Sequence, residues 1–469
     1  MDESTDLMTS GFTTDHVYRG RLLSFRASTL DEYIVQGGGD ALQIALEVPR
    51  EDIVQMVKRS GLRGRGGAGF PTGVKWDSLR TDPQSPKYLC CNGAEGEPGT
   101  FKDRFILRTN PYLLLEGMAI GAYASGADAA YIAVKGRFKR EIANLERAHA
   151  EMLQRGMLGD IPIQIKYGPD EYLFGEERAL LEVIEGREPM PRILPPYMHG
   201  LLAGPTHPYP TIVNNVETMS NIPGIVRHGP DWFRQEGTDT SPGTMIFTLV
   251  GDVRRPGIYE LPLGTSLDEL LWEYGGGPLE GRSFKAVLSG ASNPVMVPQH
   301  FGTPMDFDAM TEIGTGLGSG GFIVYDDSAC MVRVAATYSR FLHVESCAQC
   351  IPCKLHSENI THLLQQVDAG EGTEDHLERI LRSCRMVTDG QRCYLSTAES
   401  LVVQSIVRVF VGEFAAHLEI GCPLPRPIVL PKLIEFDEDT GVFTFDPNYA
   451  RKRPNWTYAP EEPSEEVQT

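Results

Sequence analysis

The cysteines Cys347, Cys350 and Cys353 are the residues whose type and spacing indicate chemistry most directly. Three thiols in the pattern C-x2-C-x2-C can converge on one small volume, which is what a cubane [4Fe–4S] cluster requires. Four-thiolate ligation is the usual way to hold such a cluster, so the pattern needs one more cysteine from elsewhere in the chain. The other thiols belong to Cys90, Cys91, Cys330, Cys384, Cys393 and Cys422.

Two other roles of this cysteine run are less well supported by its spacing. A disulfide framework would have poor bridge geometry over such short loops and would leave one of the three thiols unpaired. Zinc sites with four cysteines also use C-x2-C pairs, but these normally come as two separated pairs. The spacing therefore favours the cluster over zinc, and it predicts a protein that handles electrons.

A glycine-rich run occupies residues 61–73, with six glycines and a G-x-G-x-x-G pattern that begins at Gly64. In a dinucleotide-binding fold this pattern follows a strand and opens a helix. Here a predicted helix precedes the run, and Phe70-Pro71 interrupts the helix that should come after it. The ordinary Rossmann interpretation of the pattern therefore fails.

The same run still indicates backbone laid against a flat or phosphorylated ligand, because glycine permits a close approach. Arg63, Arg65 and Lys75 would supply positive charge for phosphates. A flexible linker is the less favoured interpretation, since linkers prefer serine to interleaved arginine, phenylalanine and tryptophan.

Residues 91–104 place Glu95 and Glu97 between glycines, which are poor helix formers. The segment is expected to be a loop that presents carboxylates. When such a pattern is considered alone, it more often indicates a solvated surface turn than a binding site.

Two further segments carry polar pairs. Glu176 and Glu177 open a predicted helix in residues 172–180, where they could also simply complement the helix dipole. Asn214 and Asn215 follow a predicted strand, and their amides are suited to the polar edge of a heterocycle. Both pairs are candidates for contacts with the ligand of the glycine run.

The bulk composition excludes some classes of function. A chain of 469 residues is too long for one core and predicts about two to four domains. The net charge of −20 argues against a nucleic-acid or anionic-membrane surface. Residues 1–14 lack the apolar region of a secretory signal, and the apolar stretch 112–134 is interrupted by charges and glycines, so no membrane insertion is expected. Clustered thiols suit a reducing cytoplasm, which is the predicted location.

The pattern of elements predicts three folded parts. Strands alternate with helices from about residue 50 to 235, which indicates a three-layer α/β domain. Residues 245–323 resemble a small β-grasp module, and residues 330–420 are nearly all helical. The predicted elements are a helix that ends near Gly61, strands at 88–91, 131–134 and 161–165, a turn at Asn92-Gly93, and helices at 138–158, 176–185 and 266–274.

Taken together and in this order, the segments resemble the family of F subunits of NADH-quinone oxidoreductase, the NADH-oxidising FMN/[4Fe–4S] flavoprotein subunit of respiratory complex I. The same module occurs in NAD-linked hydrogenases and formate dehydrogenases. The resemblance covers roughly residues 50–420. It implies the α/β fold class, with a Rossmann-like FMN-binding domain, then a β-grasp (SLBB, ubiquitin-like) domain and an all-α four-helix bundle that carries the iron–sulfur cluster.

We expect five regions along the chain. The ends are an irregular N-terminal extension and an acidic C-terminal tail whose last residues, 461–469, are predicted to be disordered. The expected boundaries are 1–45 for the extension, 46–240 for the FMN/NADH-binding domain, 241–328 for the β-grasp domain, 329–430 for the helical [4Fe–4S] domain and 431–469 for the tail.

The resemblance also implies the site residues. It points to Cys393, which lies 40 residues beyond Cys353, as the fourth cluster ligand, with Cys384 as the competitor and Cys330 as a weaker one. No side chain is expected to act as an acid or base, and Lys75, Glu95 and Glu97 position the cofactors. The residues implied to bind FMN and NADH/NAD are Gly64, Arg65, Gly66, Gly67, Ala68, Phe70, Lys75, Asn92, Glu95, Glu97, Tyr172, Gly175, Glu176, Glu177, Asn214 and Asn215.

The implied activity is an NADH dehydrogenase: a hydride passes from NADH to FMN, and single electrons then pass to the cluster. The implied partners are a thioredoxin-like [2Fe–2S] subunit and a larger iron–sulfur subunit, through which the chain would be peripheral at the inner face of a membrane. Two alternatives are a diverged paralogue that keeps FMN and the cluster but uses a different electron donor, and a non-catalytic assembly subunit.

Several positions depart from the family pattern, mostly on the nucleotide side. The family usually has Asp at Ala94, Cys at Phe174, Thr at Arg178 and Gly at Ala348. An aromatic residue expected soon after Trp76 is absent, since Asp77-Ser78 stand there, and residues 201–209 are longer than usual. FMN and cluster binding are therefore more strongly implied than NADH oxidation.

Overall fold

The computed structural model describes residues 20–204, 207–424 and 426–460. The first region is built around a four-stranded, all-parallel sheet whose order is β3-β2-β1-β4. Its strands are β1 (Tyr88–Gly93), β2 (Ala129–Lys135), β3 (Ile163–Gly168) and β4 (Thr211–Asn215). Its helices are α1 (Leu30–Val35), α2 (Asp40–Leu46), α3 (Arg50–Ser60), α4 (Thr72–Thr81), α5 (Lys102–Thr109), α6 (Pro111–Ser125), α7 (Lys139–Gln154), α8 (Glu177–Ile184), α9 (Val216–Ser220), α10 (Ile222–His228) and α11 (Pro230–Phe233).

The strand order places a switch point between β1 and β4. The chain leaves β1 for β2 on one side, and it later returns to pair β4 with the other side of β1. Connections that depart in opposite directions leave a crevice at the carboxyl ends of the strands, where open α/β sheets bind ligands. In this register Asn92 lies beside Asn215, so both polar side chains are brought to the same edge.

The second region is a mixed sheet with the order β6-β5-β8-β7. The central strands are parallel to each other and each outer strand is antiparallel to its neighbour, which is the β-grasp arrangement predicted from the sequence. Its elements are β5 (Thr244–Gly251), β6 (Gly257–Pro262), α12 (Leu267–Glu269) with a π-helical continuation (Leu270–Tyr274), β7 (Phe284–Ser289), α13 (Phe307–Glu312) and β8 (Gly321–Asp326).

The third region is helical and ends in a strand pair. Helices α14 to α17 pack together as the predicted bundle, and α18 packs against them. The elements are α14 (Met331–Glu345), α15 (Ile351–Asp368), α16 (Glu374–Met386), α17 (Leu395–Val409), α18 (Val411–Ile420), β9 (Leu433–Asp437) and β10 (Val442–Phe445). Within the described ranges no single helix is long and apolar enough to cross a bilayer. The pair α17 and α18, bent by 75°, meets the criteria for a membrane span by length and composition only.

Residues 30–46 correct the prediction of an irregular extension, because they form α1 and α2. The buried carboxylate of Glu116 organises this part: it accepts hydrogen bonds from the backbone of Gly39 and Leu42, both at 2.9 Å, and from the hydroxyl of Tyr33. The rest of the extension, residues 1–19, lies outside the described residues.

Two other predictions about local structure also change. Asn92-Gly93 is the end of β1 rather than a turn, because both residues pair with β2. Residues 433–445 form an antiparallel strand pair within the predicted tail, and Phe436 on β9 is buried against Phe101 and Phe105 of the first region. The predicted disorder of 461–469 falls outside the described residues.

Replacing Phe436 with alanine tests whether this strand pair is part of the folded core. Phe436 is 1% exposed, and its ring centroid lies 4.6 Å from that of Phe443. We expect Phe436→Ala to lower the free energy of unfolding by about 3–5 kcal/mol, measured by urea denaturation followed by circular dichroism. Val429→Ala is the matched control, because Val429 is 58% exposed. Equal unfolding midpoints for the two variants would contradict the packing role.

Candidate active site

A cavity of about 650 Å³ opens at the carboxyl edge of the parallel sheet, where β1 and β4 end. Its volume is in the range of cofactor and small-molecule sites. The walls come from all three regions of the fold: the glycine loop and the loop after β1 in the first, residues 292–293 and 318–319 in the second, and residues 393–398 in the third.

All but one of the predicted cofactor-binding residues line this cavity. They come from four segments that are far apart in the sequence, and the sheet and its loops bring them together. The lining residues are Gly64, Gly66, Gly67, Ala68, Phe70, Lys75, Asn92, Glu95, Glu97, Tyr172, Gly175, Glu176, Glu177, Asn214 and Asn215.

The exception is Arg65, whose side chain is fully buried and turned away from the cavity. Its guanidinium donates to the carbonyl oxygens of Pro242, at 3.2 Å, and Thr244, at 2.9 Å. Arg63 is likewise used at the boundary with the second region, where it pairs with Asp308 at 2.9 Å. Neither arginine lines the cavity, and both hold the glycine loop on the β-grasp region, so the structure does not support the prediction that they supply charge for phosphates.

The glycine loop closes on itself before α4 begins. The Gly64 N–H donates to the carbonyl oxygen of Phe70, and the Thr72 N–H donates to that of Leu62, both at 2.9 Å. Gly69 has a φ of +61°, and a Cβ there would lie 2.5 Å from the ring of Phe307. The loop therefore requires glycine for its own geometry at Gly69.

Buried partners orient the two amides at the end of β4. The indole N–H of Trp76 donates to Asn214 Oδ1 at 3.1 Å. Asn215 lies between an acid and a base: its Nδ2 donates to Asp103 at 2.6 Å, and its Oδ1 accepts from Lys102 at 3.1 Å. The amides thus reach the cavity in fixed orientations.

A buried charge cluster lies against this wall. Lys102 Nζ is 2.8 Å from the carboxylate of Asp103 and 3.0 Å from that of Glu217. Burial by itself lowers the pKa of Lys102, but Asp103, Glu217 and Glu95 raise it above its ordinary value. Lys102 is therefore a permanent cation, and Asp103 is the member of the cluster that lines the cavity.

The carboxylate of Glu95 caps the start of α5. It accepts backbone hydrogen bonds from Lys102, Asp103 and Arg104 at 3.0, 3.1 and 3.2 Å. Burial is the main reason that the pKa of Glu95 is raised to about 7. Glu97 crosses to the β-grasp region, where it accepts from the Ala291 N–H at 2.7 Å. These contacts show that the segment is not a solvated surface turn.

Glu176 serves two purposes that the sequence left open. It caps α8 by accepting from the backbone of Arg178 and Ala179, both at 2.9 Å, and it also lines the cavity. Burial raises its pKa to about 7. Asn92 holds the same segment in place, because its Nδ2 donates to the carbonyl of Gly175 at 2.7 Å.

The cysteine run interacts with Cys393, which lines the cavity. Cys347 and Cys350 occupy the loop between α14 and α15, and Cys353 lies in the first turn of α15. Cys393 precedes α17, and its pKa is raised by burial first and then by its neighbours, among them Cys347 and Cys353. The pKa of Cys384 is raised by burial with no cysteine among the causes. Cys347 and Cys353 therefore act on Cys393, whereas no other cysteine acts on Cys384. Four thiols of this kind would suit a [4Fe–4S] cluster.

Comparisons with known proteins agree with this arrangement. Family models match the Nuo51 FMN-binding domain at residues 57–224, the SLBB domain at 246–299 and the NADH-ubiquinone oxidoreductase-F iron-sulfur binding region at 333–417. The NADH-quinone oxidoreductase F subunit 2 of Rhizobium meliloti is 44% identical over 402 residues, which are 83% of this chain and 94% of that protein. The chain belongs to the family of F subunits of NADH-quinone oxidoreductase. It is an oxidoreductase subunit with FMN and [4Fe–4S] sites.

Other relatives of this chain are parts of hydrogenases. The NADP-reducing hydrogenase subunit HndC of Solidesulfovibrio fructosivorans is 36% identical, with 83% of this chain and 81% of that protein covered. The crystal structure of an NAD+-reducing [NiFe]-hydrogenase in the H2-reduced state superimposes with a TM-score of 0.76 at 32% identity, covering 86% of this chain and 67% of that chain. These relatives are subunits of multi-subunit complexes.

Sequence reasoning missed the part of this F-subunit site that the β-grasp region contributes. Ser292, Asn293, Gly318 and Ser319 line the cavity, and Ser319 Oγ lies 3.3 Å from Thr100 Oγ1. The available signal was a second glycine-rich run at residues 314–321, which resembles the first in composition.

The departures from the family pattern fall in different places. Ala94 lines the cavity. Phe174 is fully buried in the core, against Gly168, and is not among the lining residues. Ser78 is on the exposed side of α4. Ala348 has a φ of +53°, a conformation that favours glycine, the residue expected there from the family pattern.

Glu399, in the helical region beside the cysteines, makes stability depend on pH. It is fully buried, Ser339 donates to it at 2.9 Å, and burial raises its pKa to about 8. The folded state thus binds this proton more tightly than the unfolded state does. The resulting stabilisation is complete below about pH 4.5, which is the ordinary pKa of a glutamate side chain. It is lost as the pH rises through about 8, the pKa of Glu399 in the folded state.

We therefore expect wild type to lose stability relative to Glu399→Gln as the pH rises from about 5 to about 8, by on the order of 1 kcal/mol per pH unit. Thermal unfolding of the anaerobically purified protein at several pH values measures this difference. Glu419→Gln, at an exposed position of α18, is the control and should behave like wild type. Parallel curves for wild type and Glu399→Gln would show that Glu399 does not titrate in this range.

Proposed function

We propose that this chain is the electron-input subunit of its complex and that the cavity holds FMN and receives NADH. The observation that carries the proposal is that Cys393 lines the cavity and also interacts with Cys347 and Cys353 of the cysteine run. A flavin in the cavity would thus adjoin the cluster. FMN, when bound, supplies the exchange between two-electron hydride transfer and single-electron transfer.

The flavin side of the proposal depends on the first region of the fold. The bare backbone at Gly66 and Gly67 leaves room for a flat ring or a phosphate. Asn92, Glu95, Gly175 and Glu176 line the same cavity. Lys75 is the cation at this wall; it donates to the carbonyl of Val213 at 2.7 Å.

The nucleotide side is proposed to lie at the exposed end of the cavity. Phe70 lines it and is 54% exposed, so one face of its ring is free to stack on a planar group. Glu97 and Tyr172 are hydrogen-bonded to each other and line the same space. Their role is to position NADH, and no side chain needs to transfer a proton.

Cys347, Cys350, Cys353 and Cys393 are the proposed cluster ligands. We further propose a thioredoxin-like [2Fe–2S] subunit and a larger iron–sulfur subunit as the acceptors, since this chain has no other cysteine run to hold a further cluster. Because thiolate ligation needs reduced thiols, the proposed compartment is the cytoplasm, with any membrane association through those partners.

An anaerobic NADH titration of the reconstituted protein tests the proposal. Bleaching of the visible flavin absorbance at stoichiometric NADH is the expected result. A flavin that remains oxidised with NADH but is reduced by dithionite would indicate a paralogue with another electron donor, which Ala94 at the cavity wall motivates. Failure to bind any flavin would indicate an assembly subunit.

Cys393→Ser and Cys384→Ser form a matched pair that tests the ligand assignment. We expect Cys393→Ser to lower iron from about four per chain to well below that number, because the cluster then lacks a thiolate. Cys384→Ser should retain its iron, since Cys384 is buried in α16 and no other cysteine acts on its pKa. Iron analysis with electron paramagnetic resonance of the reduced proteins measures both. The reverse result would assign Cys384 as the ligand.

Glu177 is proposed to disfavour NADPH. Its carboxylate lines the cavity and is 3.7 Å from Lys75 Nζ, so it would repel a 2′-phosphate placed nearby. We expect Glu177→Gln to raise kcat/KM for NADPH about tenfold, equivalent to about 1.4 kcal/mol. Glu188→Gln, at an exposed position beyond α8, is the control. A Glu177→Gln protein that oxidises NADPH no faster than wild type would count against this role.

A further inference from the structure

A second group of metal-ligating side chains lies in the helical region, apart from the four cluster cysteines. Cys330, Asp368, His417 and Cys422 each offer one ligand atom, and these atoms all lie within 4.8 Å of one another. Cys330 and His417 are buried, and the other two are partly buried. The sequence had assigned none of the four a role except Cys330, as a weak competitor for the cluster.

This group and the cluster cysteines are at opposite ends of the same helices. Cys330 caps the beginning of α14, whereas Cys347 lies just beyond its end. Asp368 is the last residue of α15, whereas Cys353 lies in its first turn. A helix of 15 residues, the length of α14, spans about 22 Å, so the two groups cannot share one metal centre.

The spacing of the donors suits a single tetrahedral ion. Cys330 Sγ lies 3.3 Å from His417 Nε2. With Zn–S bonds of about 2.3 Å and Zn–N bonds of about 2.0 Å, two ligand atoms of a tetrahedral site are about 3.5 Å apart. The pair is therefore already at the separation that a shared zinc ion would impose.

The tautomer of His417 is also set for metal binding. Its Nδ1 lies 2.8 Å from the backbone carbonyl oxygen of Glu413. A carbonyl oxygen only accepts, so Nδ1 carries the proton and Nε2 presents its lone pair to the other three donors. A ligating histidine that donates its other ring N–H to a carbonyl is the usual arrangement around protein-bound zinc.

Neighbouring groups balance the charge of the four donors. Arg333 Nε lies 3.1 and 3.2 Å from the two carboxylate oxygens of Asp368, and the Arg333 N–H donates to Cys330 Sγ at 3.5 Å. Two thiolates, one carboxylate and a divalent cation carry a net charge of −1, which the guanidinium of Arg333 neutralises. The donors are two sulfurs, one imidazole and one carboxylate, a set that suits Zn²⁺.

The chain path explains how Cys422 reaches the group. Gly421 ends α18 with a φ of +71°, a conformation that turns the chain sharply and that other residues rarely adopt. Cys422 is therefore returned towards His417, five positions earlier in the sequence. After Cys422 the chain leaves the helices for β9 and β10, which pack on the first region.

We propose that Cys330, Asp368, His417 and Cys422 bind one structural Zn²⁺, which fixes α14, α15 and α18 to the point where the C-terminal segment leaves the helical region. All four positions are occupied by protein ligands, so the site is closed and takes no part in electron transfer. The proposal is independent of NADH oxidation.

The test uses the full-length protein purified anaerobically and, separately, the same protein incubated with one equivalent of Zn²⁺ and desalted. We expect one zinc per chain by mass spectrometry of the metals. Zinc-edge X-ray absorption should show two sulfurs at about 2.3 Å and two nitrogen or oxygen ligands at about 2.0 Å. No retained zinc in either preparation, or a shell of four sulfurs, would overturn the proposal, as would a Cys330–Cys422 disulfide in the native protein.

Three variants separate this site from the cluster. His417→Gln should lower retained zinc about tenfold or more while iron stays at the wild-type level. His362→Gln, at an exposed position of α15, is its matched control and should retain both metals. Cys350→Ser should lose iron and keep zinc. If Cys350→Ser loses zinc and His417→Gln retains it, the zinc occupies the cluster cysteines instead. This result would overturn the assignment even if one of the two variants folds poorly.

Discussion

Parallel pairing of β1 with strands on both sides is the constraint on which the site depends. Because β2 and β4 lie on opposite sides of β1, the strand order leaves a crevice at the carboxyl ends of β1 and β4. The same register places Asn92 beside Asn215. The glycine loop and the acidic segments line the cavity at this edge.

Closing the crevice requires the other two regions, and buried polar contacts attach them. Arg65 binds carbonyls at the start of β5, and Glu217 accepts from the Ile246 N–H at 2.8 Å. Glu97 accepts from Ala291 beyond β7. A buried charge or carboxylate is costly unless it is paired, so these contacts favour one relative position of the regions. Arg63 and Arg65 of the glycine loop make contacts with the β-grasp region. Lys75 is therefore the cation of that segment that lines the cavity.

Much of the fold could be predicted from local patterns. The end of α3 at Gly61, the strands β1, β2 and β3, and the helices α7 and α8 are explained by apolar periodicity and glycine stops. Predictions failed where burial by distant residues decides the structure. Tyr33 in α1 depends on Glu116, and Phe436 in β9 depends on Phe101, and neither partner is visible in a local window.

The sequence by itself determined the chemistry that the chain can offer: three thiols at cluster spacing, a glycine run that admits a flat ligand, and the segments by which its family is recognised. Only the tertiary structure decided which side chains meet. It brought Cys393 rather than Cys384 into interaction with Cys347 and Cys353, and it turned Arg65 away from the cavity. It also joined Cys330 to His417, 87 positions apart. Residue type limits what a group can do, but contacts between distant segments arise from packing, which local spacing does not encode.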